Sequence, residues 1–326
     1  MSLPKDASVG ATRNSAILDW QLWITAFLIG GSFSNQAVSA PCCGAGAAMP
    51  AVLVNDDLAQ VSLAISQSAT VMDAGNSGPA RLRSSGNEDD STMTRLSGAH
   101  RFGEFFQAGA SFAVVSRQVE NSGRKSQASG LSDTDLFLGY EFLPEWTYST
   151  WRPRGFAYFQ QVLPTGRAIQ DPEKKNAADV RGLGVSQSAL GAVFLKSWAE
   201  WDLSITPELR RFYSADLGAT QIGSGWGASM LLNGGYSWLD LGLRVGLRTQ
   251  PVLQSSRALK SQEVSGGFES EISSKSVWNS GVDFSWMPND QWRANVGYSD
   301  QTWFGPARNT TLERSVAISG QYRWAL

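Results

Sequence analysis

Long stretches of strict period-two alternation constrain this chain more than any other feature. Near the C-terminus, "RSVAISGQYRW" puts Val316, Ile318, Gly320, Tyr322 and Trp324 on one face and Ser315, Ala317, Ser319, Gln321 and Arg323 on the other. Leu241, Leu243, Val245 and Leu247 alternate with Gly242, Arg244, Gly246 and Arg248. Trp278, Ser280, Val282, Phe284 and Trp286 alternate with Val277, Asn279, Gly281, Asp283 and Ser285. Period two is the signature of a strand with unlike faces. Each stretch runs about ten residues, the length of a tilted strand crossing a bilayer. A soluble β-sandwich also alternates, but its strands average about five or six residues. Its polar face would also not keep setting arginines opposite long apolar runs.

The alternation predicts an all-β fold, an antiparallel transmembrane β-barrel of the outer membrane. Strands are expected near 58–72, 92–102, 105–118, 133–143, 154–164, 184–196, 199–213, 225–238, 240–253, 274–286, 291–301 and 311–325, about twelve in all. The links alternate in length. Long polar ones include "ENSGRKSQASGLS" and "TGRAIQDPEKKNAADVRG", and tight ones include "GE" near 103, "SWAE" near 197 and "MPNDQ" near 287. "LPEWTYSTWRPR" (143–154) breaks the short series. Short turns on one side and long loops on the other are the pattern of outer-membrane barrels, whose short turns face the periplasm. An even strand count then puts both termini in the periplasm.

The N-terminus gives the expected route to that membrane. Lys5 and Arg13 precede an apolar run from Ala16 to Gly31, and Val38-Ser39-Ala40 offers the small residues of a signal-peptidase site. Asp19 and Gln21 interrupt the run, which is shorter than the roughly 20 residues needed to span a bilayer as a helix. Residues 1–40 are therefore read as a signal peptide, 41–57 as an N-terminal Cys-Cys-Gly segment at the periplasmic rim, and 58–326 as the barrel.

Thirteen tryptophans stand out in 326 residues. Trp198, Trp201, Trp238, Trp286, Trp292 and Trp324 lie beside short turns or the C-terminus, where they would form an aromatic girdle at the periplasmic interface. Trp226, Trp278 and Trp303 lie toward the long loops. Many barrels of this kind end on an aromatic residue, whereas Ala325 and Leu326 follow Trp324 here. Inward positions include Arg244, Arg248, Asp202, Glu208, Arg210 and Asn295. Their mixed charges suggest ion pairs filling a narrow lumen.

Several function classes lack support. A net charge of −2 gives no basic footprint for nucleic acid. The single histidine, His100, lies one loop from Glu88, Asp89 and Asp90, but no nucleophile motif accompanies it. It reads as a pore-lining or interface residue rather than the base of a hydrolase. Asp133, Asp135, Lys174 and Lys175 read as a solvated face. No cofactor and no enzymatic activity are expected. The two cysteines, Cys42 and Cys43, are adjacent. One histidine is a poor reserve for a metal site. Acylation, a vicinal disulfide or a cross-link between subunits remain open for this pair.

Four stretches carry a family resemblance: "PCCGAGAAMPAVLVNDDLAQVSL" (41–63), "LGYEFLPEWTYSTWRPRGFAYFQQVLPTGRAI" (138–169), "LKSWAEWDL" (195–203) and "YSDQTWFGPARNTTLERSV" (298–316). They resemble a porin-like superfamily of outer-membrane barrels known from bacterial predators and related deltaproteobacteria. Cys42, Cys43 and Gly44 match its opening motif. The resemblance implies a homo-oligomeric ring that encloses membrane lipid in a central cavity, an architectural role. A weaker likeness points to barrels that take up aromatic compounds, and so to a channel for small, hydrophobic solutes. Outward glycines and alanines in "FQAGASFAVVS" (106–116) and "VSQSALGAVFLK" (185–196) would suit a ring interface or relieve barrel curvature.

Overall fold

A computed structural model describes residues 52–53, 57–77, 79–84, 86–168, 173–217, 220–261 and 268–325. The expected signal peptide (1–40), and Cys42 and Cys43, lie outside the described residues. No described helix is long and apolar enough to cross a membrane.

In chain order the strands are β1 (Asp57–Ala74), β2 (Arg81–Leu82), β3 (Asn87–Phe102), β4 (Phe106–Asn121), β5 (Arg124–Leu131) and β6 (Thr134–Leu143). They continue with β7 (Arg154–Leu163), β8 (Gln187–Ser197), β9 (Trp201–Phe212), β10 (Ala215–Leu217), β11 (Thr220–Ile222) and β12 (Gly225–Trp238). The last six are β13 (Leu243–Gln254), β14 (Arg257–Ser261), β15 (Phe268–Ile272), β16 (Lys275–Trp286), β17 (Trp292–Asp300) and β18 (Thr310–Ala325).

Twelve of them, β1, β3, β4, β6, β7, β8, β9, β12, β13, β16, β17 and β18, form a sheet that pairs antiparallel from neighbour to neighbour and closes through β1 and β18. The closing seam runs from Asp57↔Ala325 to Ala74↔Thr310, with bulges at Asp57/Ala59 and Thr70/Met72. Closure satisfies every edge, which a barrel in lipid requires. All twelve expected strands are present, within a few residues of their expected limits.

The alternation sorts the two faces. One outward row joins Tyr236, Val245, Phe284, Val296, Ile318 and Ile65 across successive strands. Val61, Leu63, Leu96, Leu138, Leu190, Leu247 and Val316 are exposed on the same wall. Gln60, Gln107, Gln160, Asp202, Asn233, Arg244, Asp283 and Asn295 are buried inside. This is an apolar belt around a polar interior, the inverse of a soluble protein.

Connections differ at the two ends. At one end β3–β4, β8–β9, β12–β13 and β16–β17 are joined by tight turns, and residues 144–153 form the longer exception. Asp57 and Ala325 pair at this same end. At the other end the loops carry structure of their own. The hairpin β4–β5 extends beyond the barrel. Strands β10, β11, β14 and β15 make a separate four-stranded sheet. That sheet has its own small core, in which Val185, Phe212 and Ile222 pack with Ala215, Leu217, Leu259 and Ile272.

Candidate functional site

The lumen is built in layers. Nearest the short turns, Arg244 is fully buried. Its guanidinium donates to both oxygens of Asp202 at 2.7 Å, to Asp283 Oδ2 at 2.7 Å, and to Asn233 Oδ1 at 3.4 Å. Two carboxylates around one guanidinium satisfy charges that would be costly to bury singly. Two glycines make room for it. A Cβ at Gly235 would lie 2.4 Å from Arg244 Cζ, and one at Gly246 would lie 2.4 Å from Arg244 Nη1. Asn295 is buried nearby, accepting from Ser285 Oγ at 2.6 Å and donating to Ser319 Oγ at 3.3 Å.

Along β3, β6, β7 and β8, Val52 and Leu53 lie against the inner wall. Val52 packs against Phe156, Tyr158, Val193 and Leu195. Leu53 packs against Ala99 and Phe137, and its backbone N–H donates to Gln107 Oε1 at 2.6 Å. These partners alternate with exposed residues such as Leu138, Phe159 and Leu190, so they face inward. Among residues 41–57, Val52 and Leu53 thus stand inside the wall, close to the short-turn end.

Above these layers, toward the long loops, lies a cavity of about 340 Å³. Its polar lining includes Tyr158, Gln187, Thr206, Glu208, Arg210 and Gln250, and its apolar lining includes Phe212, Leu231 and Val252. Glu208 and Arg210 neutralise one another at 2.8 Å. Tyr158 Oη donates to Glu208 at 2.9 Å, and Arg210 donates to Gln187 and Gln160 at 3.1 and 3.3 Å. Arg248, 6% exposed, pairs through its backbone with Asn233 and Gly281, one inward position below Gln250. Its Nη1 has no hydrogen-bond partner.

The loop from 164 to 186 ties itself to the mouth above the cavity. Arg117 holds Asp89 bidentately, at 2.7 and 2.8 Å, and also donates to the carbonyls of Ala177 and Val180. Asp133 accepts the N–H groups of Gly166 and Leu183 at 3.0 and 3.1 Å. Asp179 is buried and accepts from the N–H groups of Glu173 and Lys174. Burial pushes its carboxyl up. The backbone donors and the Arg167 guanidinium outweigh that and hold it below the ordinary carboxylate value.

These contacts correct one expectation. Asp133 and Asp135 are not a solvated face. Asp133 anchors the loop, and Asp135 accepts from Ser111 and Gln160 inside the barrel. The Asp135 contacts run to the two strands paired with β6, and the Asp133 contacts to a loop more than thirty residues away, neither of which spacing along the chain reports. His100 faces outward rather than into the pore, and its ring lies 4.9 Å from that of Phe102 at the short-turn end of β3. Asp89 and Asp90 occupy the opposite end of that strand, so they are not its partners.

The six girdle tryptophans all fall at the short-turn end. Trp201, Tyr236 and Trp238 stack edge-on at 4.9 and 5.0 Å, and Trp292, Tyr322 and Trp324 at 4.9 and 4.7 Å. Trp198 Nε1 donates to the Thr150 carbonyl, and Trp286 is half-buried opposite Leu243 and Ala294. Trp146, Tyr148 and Trp151 in the 144–153 connection add exposed rings at this end. Sequence reasoning did not single out Thr206 or Asp283 as site residues, although both stand on polar faces of alternating strands. Arg257 in β14 lies over the Phe212 ring at 5.0 Å and had no periodic signal to mark it.

Fold and interior together define a transmembrane β-barrel of the outer-membrane type. An outer membrane channel from Pseudomonas putida F1 is similar, with a TM-score of 0.62 at 13% identity over 83% of this chain and 97% of that one. The transport unit of the autotransporter AIDA-I from Escherichia coli aligns with a TM-score of 0.44 at 9% identity, over 82% and 90% of the two chains. A mutant of the monoaromatic hydrocarbon channel TodX aligns with a TM-score of 0.42 at 10% identity, over 83% and 91%. The first of these shares the fold, and the two looser alignments carry no argument. No protein-family model and no curated protein matches the chain.

Proposed function

We propose that this protein is an outer-membrane channel for small solutes, inserted with both termini in the periplasm. One observation carries the reading. A cavity lined by both polar and apolar groups persists in the lumen between the Arg244 layer and the long-loop cap. A barrel serving only as a wall would have no need of such a space, and ligand sites have this mixed lining. The likeness in fold to the Pseudomonas putida channel supports the same role. The stacked rings around Trp201, Trp238, Trp292 and Trp324 would mark the periplasmic interface, where amphipathic rings settle. Planar-bilayer recording tests the proposal. Discrete ohmic steps are expected, and folded protein that leaves the bilayer silent contradicts it.

A second reading, the lipid-enclosing homo-oligomeric ring, draws on an open apolar groove on the outer wall of β4, β6, β7 and β8. Phe106, Leu138, Tyr140, Ala157, Phe159 and Leu190 line it. Ala157, between these larger side chains, would let a neighbouring barrel or an acyl chain approach closely. Membrane lipid and further copies of the chain would be the partners, with Cys42 and Cys43 as acylation or cross-link candidates. Native mass spectrometry of detergent-purified protein decides it. A discrete oligomer carrying phospholipid supports the ring, and a lipid-poor monomer rejects it.

A further inference from the structure

The unsatisfied groups around the lumen cavity share one chemical character. Thr206 is 3% exposed and lines the cavity, and its Oγ1 has no hydrogen-bond partner. Arg248 is 6% exposed in the layer beneath, and its Nη1 is likewise unpartnered. At the long-loop side, Arg257 stacks on Phe212, a lining residue, and its buried Nη1 also lacks a partner. All three can donate. The charged groups already on the wall are spent on each other, because Glu208 is held by Arg210 and Tyr158. The buried unpartnered carboxylate oxygen among the described residues, Asp283 Oδ1, belongs to a side chain that is paired with Arg244 and whose charge also acts on Arg248. Buried polar groups are almost always hydrogen-bonded, and a buried donor left without an acceptor is costly. Thr206 lines this space, Arg248 lies one layer beneath it and Arg257 sits against its Phe212, so donors left unpartnered around a cavity of mixed lining call for an acceptor that comes and goes.

We infer that this cavity is a binding site for a small organic anion, an apolar body bearing one carboxylate. The carboxylate would take hydrogen bonds from Arg248 and Thr206. The body would lie along Phe212, Leu231 and Val252. Arg257 adds positive charge from the loop side. A guanidinium suits the task because it stays charged and matches the carboxylate fork. The inference rests on the channel reading and gives it a solute class.

Isothermal titration of the detergent-solubilised full-length protein tests it, with benzoate as probe and benzyl alcohol as its uncharged counterpart. Benzoate should bind more tightly than benzyl alcohol. Arg248→Gln should weaken benzoate about tenfold or more, as expected for loss of a charge-assisted hydrogen bond, and leave benzyl alcohol unchanged. Thr206→Val, which keeps the shape of the side chain, should weaken benzoate by a smaller factor and decides the matter if Arg248→Gln does not fold. Equal affinity for the two probes, or a benzoate affinity that neither substitution changes, overturns the inference. Because titration needs no flux, the two readings fail separately. Benzoate binding without conductance contradicts the channel alone, and conductance without benzoate binding contradicts the anion site alone.

Discussion

The Arg244 guanidinium fills the space that side chains at positions 235 and 246 would need. Its partners Asp202 and Asp283 come from strands on either side of the β12–β13 pair. Removing one member of such a group leaves the others charged and buried. Arg244→Ala should therefore destabilise the barrel by about 3–5 kcal/mol. Gly235→Ala, which adds one methyl against the guanidinium, should cost about 1–3 kcal/mol through overpacking. Urea unfolding in lipid vesicles, followed by heat-modifiable gel mobility, measures both. Wild-type stability in either variant would mean that the cage does not hold the wall. The alternation of "LGLRVGLR" tells which way Arg244 points, but not which carboxylates meet it. Those partners depend on strand register, which is set by the whole closed sheet.

At the scale of elements, strands and loops differ in how plainly the sequence announces them. Each barrel strand must set an apolar residue toward lipid and a smaller or polar one inward, so period two is written into every segment. The strands around Leu63, Leu247 and Val316 were legible for that reason. The loops obey no such rule. Nothing periodic marks 164–186 as a cap, and its order comes from Asp133 and Arg117 reaching it from the barrel mouth and from Asp179 accepting within it. Thr206 could have been found, because it continues the inward series Asp202, Ser204, Thr206, Glu208 and Arg210. Arg257 could not, since a five-residue strand in a loop carries too little pattern.

Asp179 gives that loop a pH dependence. Its carboxyl titrates below its ordinary value in the folded protein. A depressed carboxylate contributes stability that is present above the unfolded pKa and lost as pH falls through the folded one. The Glu173 and Lys174 amides should therefore be protected from hydrogen exchange at pH 6 and lose that protection near pH 2, after correction for intrinsic rates. Asp179→Asn should lower their protection at pH 6. Protection that is the same at both pH values would contradict the assigned role.

Among the described residues, the barrel is a closed wall with three fillings: the Arg244 cage, the apolar residues Val52 and Leu53, and the long-loop cap. Between them remains the cavity through which a solute would pass. The entry of Val52 and Leu53 into the barrel was not legible, because a two-residue contact with Phe137, Phe156 and Val193 has no periodic trace. We propose that this lumen conducts, and single-channel recording in planar bilayers tests that most directly. Wild-type protein should give discrete ohmic steps, and the double variant Val52→Gly, Leu53→Gly should give larger ones, because it empties space beside the short-turn mouth. A correctly folded wild type that gives no steps, with a double variant equally silent, would contradict the account.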